Sequence, residues 1–178
     1  MTTEAVDSAV RSSVEVGTPI EQAFRVFTEE IGTWWDPTHH VLAGELAEMV
    51  FEPFVGGNVY DRGVDGSECR WGRVLAYEPP HRFVISWDVS PQWKLETDPG
   101  RTSEVEVRFT ESGPDRTLVE LEHRHLERHG EGWEQMRDAV GSPGGWPAGM
   151  HAFAERIEAG SVTHPNHDTE KELPCTQF

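Results

Sequence analysis

Cysteine is scarce in this chain. Cys69 and Cys175 are the only two among 178 residues, and their spacing fits neither a disulfide framework nor a zinc site, so both are expected as free thiols. Basic charge is also short, with 15 Lys and Arg against 32 Asp and Glu and a formal net charge of -17. Phosphate backbones and anionic lipid surfaces would repel such a chain, so no nucleic-acid and no membrane partner is expected. The acids are interspersed rather than massed in one run, which suits a solvated surface. No apolar stretch approaches a membrane-spanning length, and Met1 to Val10 lacks the basic region and apolar run of a secretory signal, so a cytoplasmic location is expected. Gly56-Gly57 and the glycines from Gly141 to Gly145 lack the lysine and the strand-to-helix setting of a phosphate loop; they read as turn and helix-start residues. There is no nucleophile elbow, Cys-His signature or triad-like spacing, no internal repeat and no second-domain linker. No catalytic residue, metal or cofactor is assigned from the sequence.

The length suits one domain with a core of its own. That domain is expected over residues 10–160, preceded by an extension over 1–9 and followed over 161–178, where no periodicity is sustained, by a tail that reads as mobile or loosely docked. Val14 to Val16 alternates as a strand. Thr18-Pro19-Ile20-Glu21 then combines an N-cap, a first-turn proline and a capping-box acid. The helix predicted from there carries Ala23, Phe24, Phe27 and Ile31 at helical spacing, widened by Val26, and stops at Gly32. From Leu46 to Leu126 short runs are divided by turn residues, the pattern of an antiparallel sheet. Val105, Val107 and Phe109 share one face of a strand, Phe83, Ile85 and Trp87 one face of another, and Val119 and Leu121 one face of the last. Parity carries His123 to that apolar side, and His125 too unless the strand ends before it. A short helix with Trp133, Met136 and Val140 precedes a glycine-rich break. A longer helix follows from Pro147, with Trp146, Met150, Phe153 and Ile157 on one stripe and Gly160 as its expected stop.

Several segments along this order carry a resemblance. Glu52-Pro53-Phe54-Val55-Gly56-Gly57, Glu68-Cys69-Arg70-Trp71-Gly72-Arg73-Val74, Glu78-Pro79-Pro80-His81-Arg82-Phe83 with Trp87, Val119 to Arg124, and Gly144-Gly145-Trp146-Pro147 resemble bacterial proteins similar to the C-terminal domain of the Hsp90 ATPase activator. These belong to the superfamily of START domains, pollen allergens of the Bet v 1 type and polyketide cyclases. The resemblance implies an α+β helix-grip fold: a curved antiparallel sheet wrapped around a long C-terminal helix, with short helices after the first strand. It also implies a cavity between sheet and helix. It does not imply chaperone work, because in the eukaryotic activator a separate N-terminal domain contacts the chaperone and the residues before Val14 leave no room for one; Hsp90 is a doubtful partner.

Seven tryptophans dominate the candidate site. Trp34, Trp35, Trp71, Trp87, Trp93 and Trp146 fall near sheet edges or helix starts, where a broad ring either fills the core or lines a hollow. The predicted binding set is Trp35, Trp71, Phe83, Ile85, Trp87, Val107, Phe109, Leu121 and His123 on the sheet side, with Trp146, Met150 and Phe153 on the helix. It would enclose a small apolar or aromatic molecule. His123 would orient the ligand or be a hydrogen-bonded core residue; in a cyclase-like enzyme, His123 or Tyr60 would move a proton. His39-His40 would sit over the pocket mouth, either touching the ligand or solvated. Arg70, Arg73 and Arg82 would pair with neighbouring acids or meet a ligand carboxylate. A protein-interaction module remains the alternative to both, and would show an exposed apolar patch and a filled interior.

Overall fold

The computed structural model describes residues 9–36 and 38–161. Residues 1–8 of the extension expected over 1–9, and residues 162–178 of the tail expected over 161–178, Cys175 among them, lie outside the described residues; Cys69 is a free thiol. Seven strands form one antiparallel sheet: β1 (Val10–Val16), β2 (Leu46–Phe51), β3 (Asn58–Gly63), β4 (Glu68–Glu78), β5 (Arg82–Trp87), β6 (Ser103–Gly113) and β7 (Arg116–Arg124). Their spatial order is β1-β7-β6-β5-β4-β3-β2. The chain thus runs as a meander from β2 to β7 and closes by laying β1 along β7. Register shifts interrupt the β2–β3, β3–β4 and β4–β5 pairings, and such bulges bend a sheet into a trough. Gly72 helps on β4, where a Cβ would stand 3.1 Å from Ser86 O and 3.3 Å from Val59 Cβ.

Three helices fill the trough: α1 (Ile20–Thr28), α2 (Trp133–Val140) and α3 (Trp146–Ser161). The first ends a turn earlier than its apolar spacing predicts. Thr28 Oγ1 bonds back to Phe24 O at 2.8 Å, and Ile31 enters a 3-10 turn over Ile31–Thr33 instead. The expected capping box is absent as well: extended Pro19 occupies the N-cap with no side-chain cap, and the Thr18 carbonyl accepts from Thr117 Oγ1. At the other end, α3 runs through Gly160 to Ser161.

Period-two burial holds on the sheet's inner face. Val105, Val107 and Phe109 on β6 and Val119 and Leu121 on β7 are all buried. Against them α1 lays Phe24 and Phe27, and α3 lays Phe153. Phe27 meets Phe153 at 4.9 Å between ring centroids and Phe83 at 5.7 Å, while Phe24 meets Phe109 at 5.0 Å. Edge-to-face and tilted pairs of this kind add roughly 0.5–1.5 kcal/mol each beyond area burial. This cluster clamps α1, α3 and the sheet into one core. On the outer face Glu106 is also buried, covered by the guanidinium groups of Arg82, Arg108 and Arg124. Their hydrogen bonds outweigh burial and hold its carboxyl down to about 2. The resulting architecture is the helix-grip fold.

Candidate ligand-binding site

At the end of the grip nearest the start of α3 the packing opens into a cavity of about 660 Å³. Six tryptophans line it: Trp34 and Trp35 from the turn after α1, Trp71 on β4, Trp87 on β5, Trp93 in the loop after β5, and Trp146 at the first position of α3. The rings interlock, with Trp35 5.5 Å from Trp71 and 5.7 Å from Trp146, and Trp87 5.5 Å from Trp71 and 5.7 Å from Trp146. The space itself comes from small residues. Gly144, Gly145, Ala148, Gly149 and Ala152 form the helical side of the wall, and a Cβ on Gly149 would only just reach the Trp34 and Trp146 rings at 3.9 Å. Gly145 also permits the tight α2–α3 turn, since a Cβ there would lie 2.2 Å from Val140 O.

Hydrogen bonds hold most of the indoles in place. Trp34 Nε1 donates to Val26 O at 3.2 Å, Trp35 Nε1 to His39 O at 2.9 Å, and Trp71 Nε1 to Asp61 Oδ1 at 3.0 Å. Asp61, fully buried on β3, also accepts from the main chain of Val41 at 3.1 Å. One carboxylate therefore ties the tryptophan-pair loop to the wall. Burial raises its pKa despite those bonds.

Trp146 Nε1 donates to His123 Nδ1 at 3.1 Å, His123 Nε2 lies 2.8 Å from Ser103 Oγ, and Ser103 Oγ lies 2.7 Å from His129 Nε2. An indole nitrogen can only donate, so His123 Nδ1 must accept. A neutral His123 then carries its proton on Nε2 and gives it to Ser103, whose own proton goes to His129 Nε2. His129 is left with an Nδ1–H that finds no acceptor. The directions require an uncharged imidazole, and burial, helped by neighbouring His129, pushes His123 down to about 3.

Of the predicted binding residues, the structure brings Trp35, Trp71, Trp87 and Trp146 to the cavity. Phe83, Ile85, Val107, Phe109, Leu121, Met150 and Phe153 are buried in the core instead, where α1 and α3 close on the sheet and leave no space. His123 stands behind Trp146 as its acceptor. His125 lies beyond β7 at a positive φ of 65°, with its side chain 41 % exposed, so parity fails for it. Tyr60 is outside the cavity lining and accepts from Arg62 Nη2 at 2.8 Å. The three arginines pair with acids: Arg73 grips Asp88 through two bonds, Arg82 meets Glu78 and Glu106, and Arg70 meets Glu68. Among the described residues no group of three or more His, Cys, Asp or Glu side chains converges as a metal site, and no helix is long and apolar enough to cross a membrane.

Beyond the predicted binding set, the lining includes Trp34 and Trp93, which the sequence grouped with the other tryptophans, His39 and His40, which it put over the pocket mouth, and two parts that it did not assign: Asp36, and the glycines and alanines at the start of α3. A signal existed for the last group. Gly145, Ala148, Gly149 and Ala152 recur at i, i+3, i+4 and i+7, beside the large-residue stripe.

An antiparallel helix-grip domain with a hollow at one end of its long helix is the architecture of the START and Bet v 1 class. Within it, the chain belongs to the family of Activator of Hsp90 ATPase homolog 1-like proteins, which matches residues 17–158. Among solved structures it is similar to the anthrahydroquino-gamma-pyrone synthase Txn09, at 40% identity over 84% of this chain and 96% of that one, with a TM-score of 0.59. It is also similar to CalC from Micromonospora echinospora, described as a self-sacrificing resistance protein, at 29% identity over 86% and 96% of the two chains and a TM-score of 0.62. Protein NE0264 from Nitrosomonas europaea shares the fold at 16% identity, covering 89% of this chain and 99% of its own, with a TM-score of 0.61. No curated protein matches the chain.

Proposed function

We propose that this protein encloses a small, largely apolar aromatic molecule in the tryptophan-walled cavity. The observation that carries this is the cavity itself: about 660 Å³ walled by six tryptophans and by the glycines and alanines of α3. Ligand sites are typically about 300–1,000 Å³ and mostly apolar, with a few placed polar groups. An interior that served only packing would have larger residues at those small positions. Binding acts on the folded state alone, so a ligand at about a hundred times its dissociation constant adds about 2.7 kcal/mol of stability. In a chain of this size that raises the melting temperature by roughly 5–10 °C. Native mass spectrometry of the purified protein together with thermal melts against planar aromatic compounds tests the reading. A retained adduct or shifts of that size are expected; an adduct-free protein with no shift across the panel refutes it.

One observation favours an enzymatic reading of the same cavity. The relative at 40% identity is named a synthase of an anthrahydroquino-gamma-pyrone. On that reading the tryptophan walls hold an aromatic substrate in a reactive pose. Turnover of an anthrahydroquinone precursor to a gamma-pyrone, abolished when Trp35→Ala opens the wall, would decide for it.

A further inference from the structure

The side chains around the cavity differ in what they have left to offer a ligand. Trp34, Trp35, Trp71 and Trp146 donate their N–H groups within the protein. The Trp87 N–H is buried without an acceptor, its ring set against those of Trp71, His123 and Trp146. Only Trp93, half exposed at the rim, keeps an indole open to the outside. The hydroxyl protons are committed too: Thr38 Oγ1 donates to Asp36 Oδ1 at 2.7 Å and Ser142 Oγ to Ala139 O at 2.7 Å. No lysine or arginine is in the lining. His40, half-buried in the wall, places Nδ1 2.9 Å from Leu42 O. A carbonyl accepts, so Nδ1 carries the proton and the neutral ring keeps an unshared pair on Nε2. Asp36 in this loop is an acceptor as well, its pKa lowered by its bonds from Thr38, and the exposed ring of His39 places its Nε2 3.8 Å from Asp36 Oδ2.

We infer that His40 Nε2 is the hydrogen-bond acceptor that orients the ligand, and that the ligand presents a phenolic or enolic hydroxyl to it. The inference rests on the binding reading above. It gives the cavity a preference for a donor over an acceptor of the same shape, and for a neutral molecule over a carboxylate, since Asp36 and the net charge of -17 oppose an anion. The hydroxyl donates to Nε2 while the apolar rings lie against the tryptophans. Nothing is transferred in this step; it positions.

The test uses three probes with one ring system: 2-naphthol, 2-methoxynaphthalene and 2-naphthoate. In the wild-type protein 2-naphthol should bind roughly tenfold more tightly than its methyl ether, the size expected of one well-placed hydrogen bond in a desolvated site, with the naphthoate weakest. In His40→Phe, which keeps a ring in the wall, naphthol and ether should bind equally. Excited 2-naphthol is a strong acid, so naphtholate emission from the wild-type complex, absent in the variant, gives a second readout of a base within reach. It needs only the wild-type protein should the variant not fold. Equal binding of naphthol and ether to the wild type overturns the inference and leaves the binding reading intact. Tighter binding of the ether or naphthoate also overturns it. Failure of all three probes to bind refutes the binding reading with it.

Discussion

The buried relay from Trp146 to His129 makes acid the sharpest probe of this fold. In the folded state burial holds the His123 pKa at about 3, whereas the unfolded chain's histidine titrates near 6.5. The folded value is depressed, so between those two values the unfolded chain holds the proton and the folded protein does not. Stability is therefore fully present above about 6.5 and is lost as pH falls toward 3. Going from about pH 8 to about pH 5, this one group costs about 2 kcal/mol, from RT ln(1 + 10^1.5) with the unfolded value alone. The result is insensitive to the folded value as long as that stays well below 5. His129, also depressed by burial, adds to the loss in the same direction. Glu106 does not interfere, because its depressed pKa of about 2 confines its loss of stability to below the usual glutamate range. Asp61, with a raised pKa, acts with the opposite sign. Comparison with His123→Gln cancels it: glutamine can accept from Trp146 and donate to Ser103 but cannot titrate. Urea unfolding at the two pH values, followed by tryptophan fluorescence, should show the wild type losing about 2 kcal/mol more than the variant. Equal losses would mean that His123 is not held neutral, and the hydrogen-bond directions argued above would fall with it.

Phe153→Ala should cost about 3–5 kcal/mol in the same urea assay, because Phe153 is fully buried between Phe27 and Trp34 where α1, α3 and the sheet meet; a loss below about 1 kcal/mol would show that the cluster is not the clamp. Asp61→Asn replaces a carboxylate facing only donors with an amide that brings donors of its own. It should cost about 1–3 kcal/mol and speed hydrogen exchange at the Val41 amide, which Asp61 holds. Unchanged exchange there would show that the loop is fixed by other contacts.

What was legible in the sequence follows the strength of the periodic signal. Glu104 to Phe109 alternates cleanly, and β6 buries Val105, Val107 and Phe109 as that alternation requires. The short helix with Met136 and Val140 and the long one starting at Trp146 likewise fall where helical spacing puts them. Signals that depend on where a helix or strand ends were weaker. Thr18 and Glu21 form a capping-box pattern, but Pro19 takes the cap position; His125 fits the parity of β7, but the strand ends one residue before it. The six tryptophans could be grouped near sheet edges and helix starts, yet which large residues surround a hollow and which fill a core depends on where the helices meet the sheet. That distance is absent from any local pattern.

The two stripes of α3 explain where the hollow had to form. Met150, Phe153 and Ile157 drive the helix onto the sheet, and such side chains pack to crystal-like density wherever partners face them. A cavity therefore cannot lie along these three residues, and of their stripe only Trp146, at the start of the helix, reaches the lining. The cavity needs a neighbouring stripe too small to fill the gap, opposed by residues too rigid to collapse into it. Ala148, Gly149 and Ala152 supply the first condition. The tryptophans supply the second, because Trp34, Trp35, Trp71 and Trp146 are each fixed by a ring-nitrogen hydrogen bond to the main chain, a carboxylate or an imidazole. Buried polar groups such as Asp61 and His123 are costly in a core, and a core made only for stability would place apolar residues there. Their presence directly behind the cavity wall is accounted for if the wall must stay open, since each holds one of its large rings away from the space it could otherwise fill.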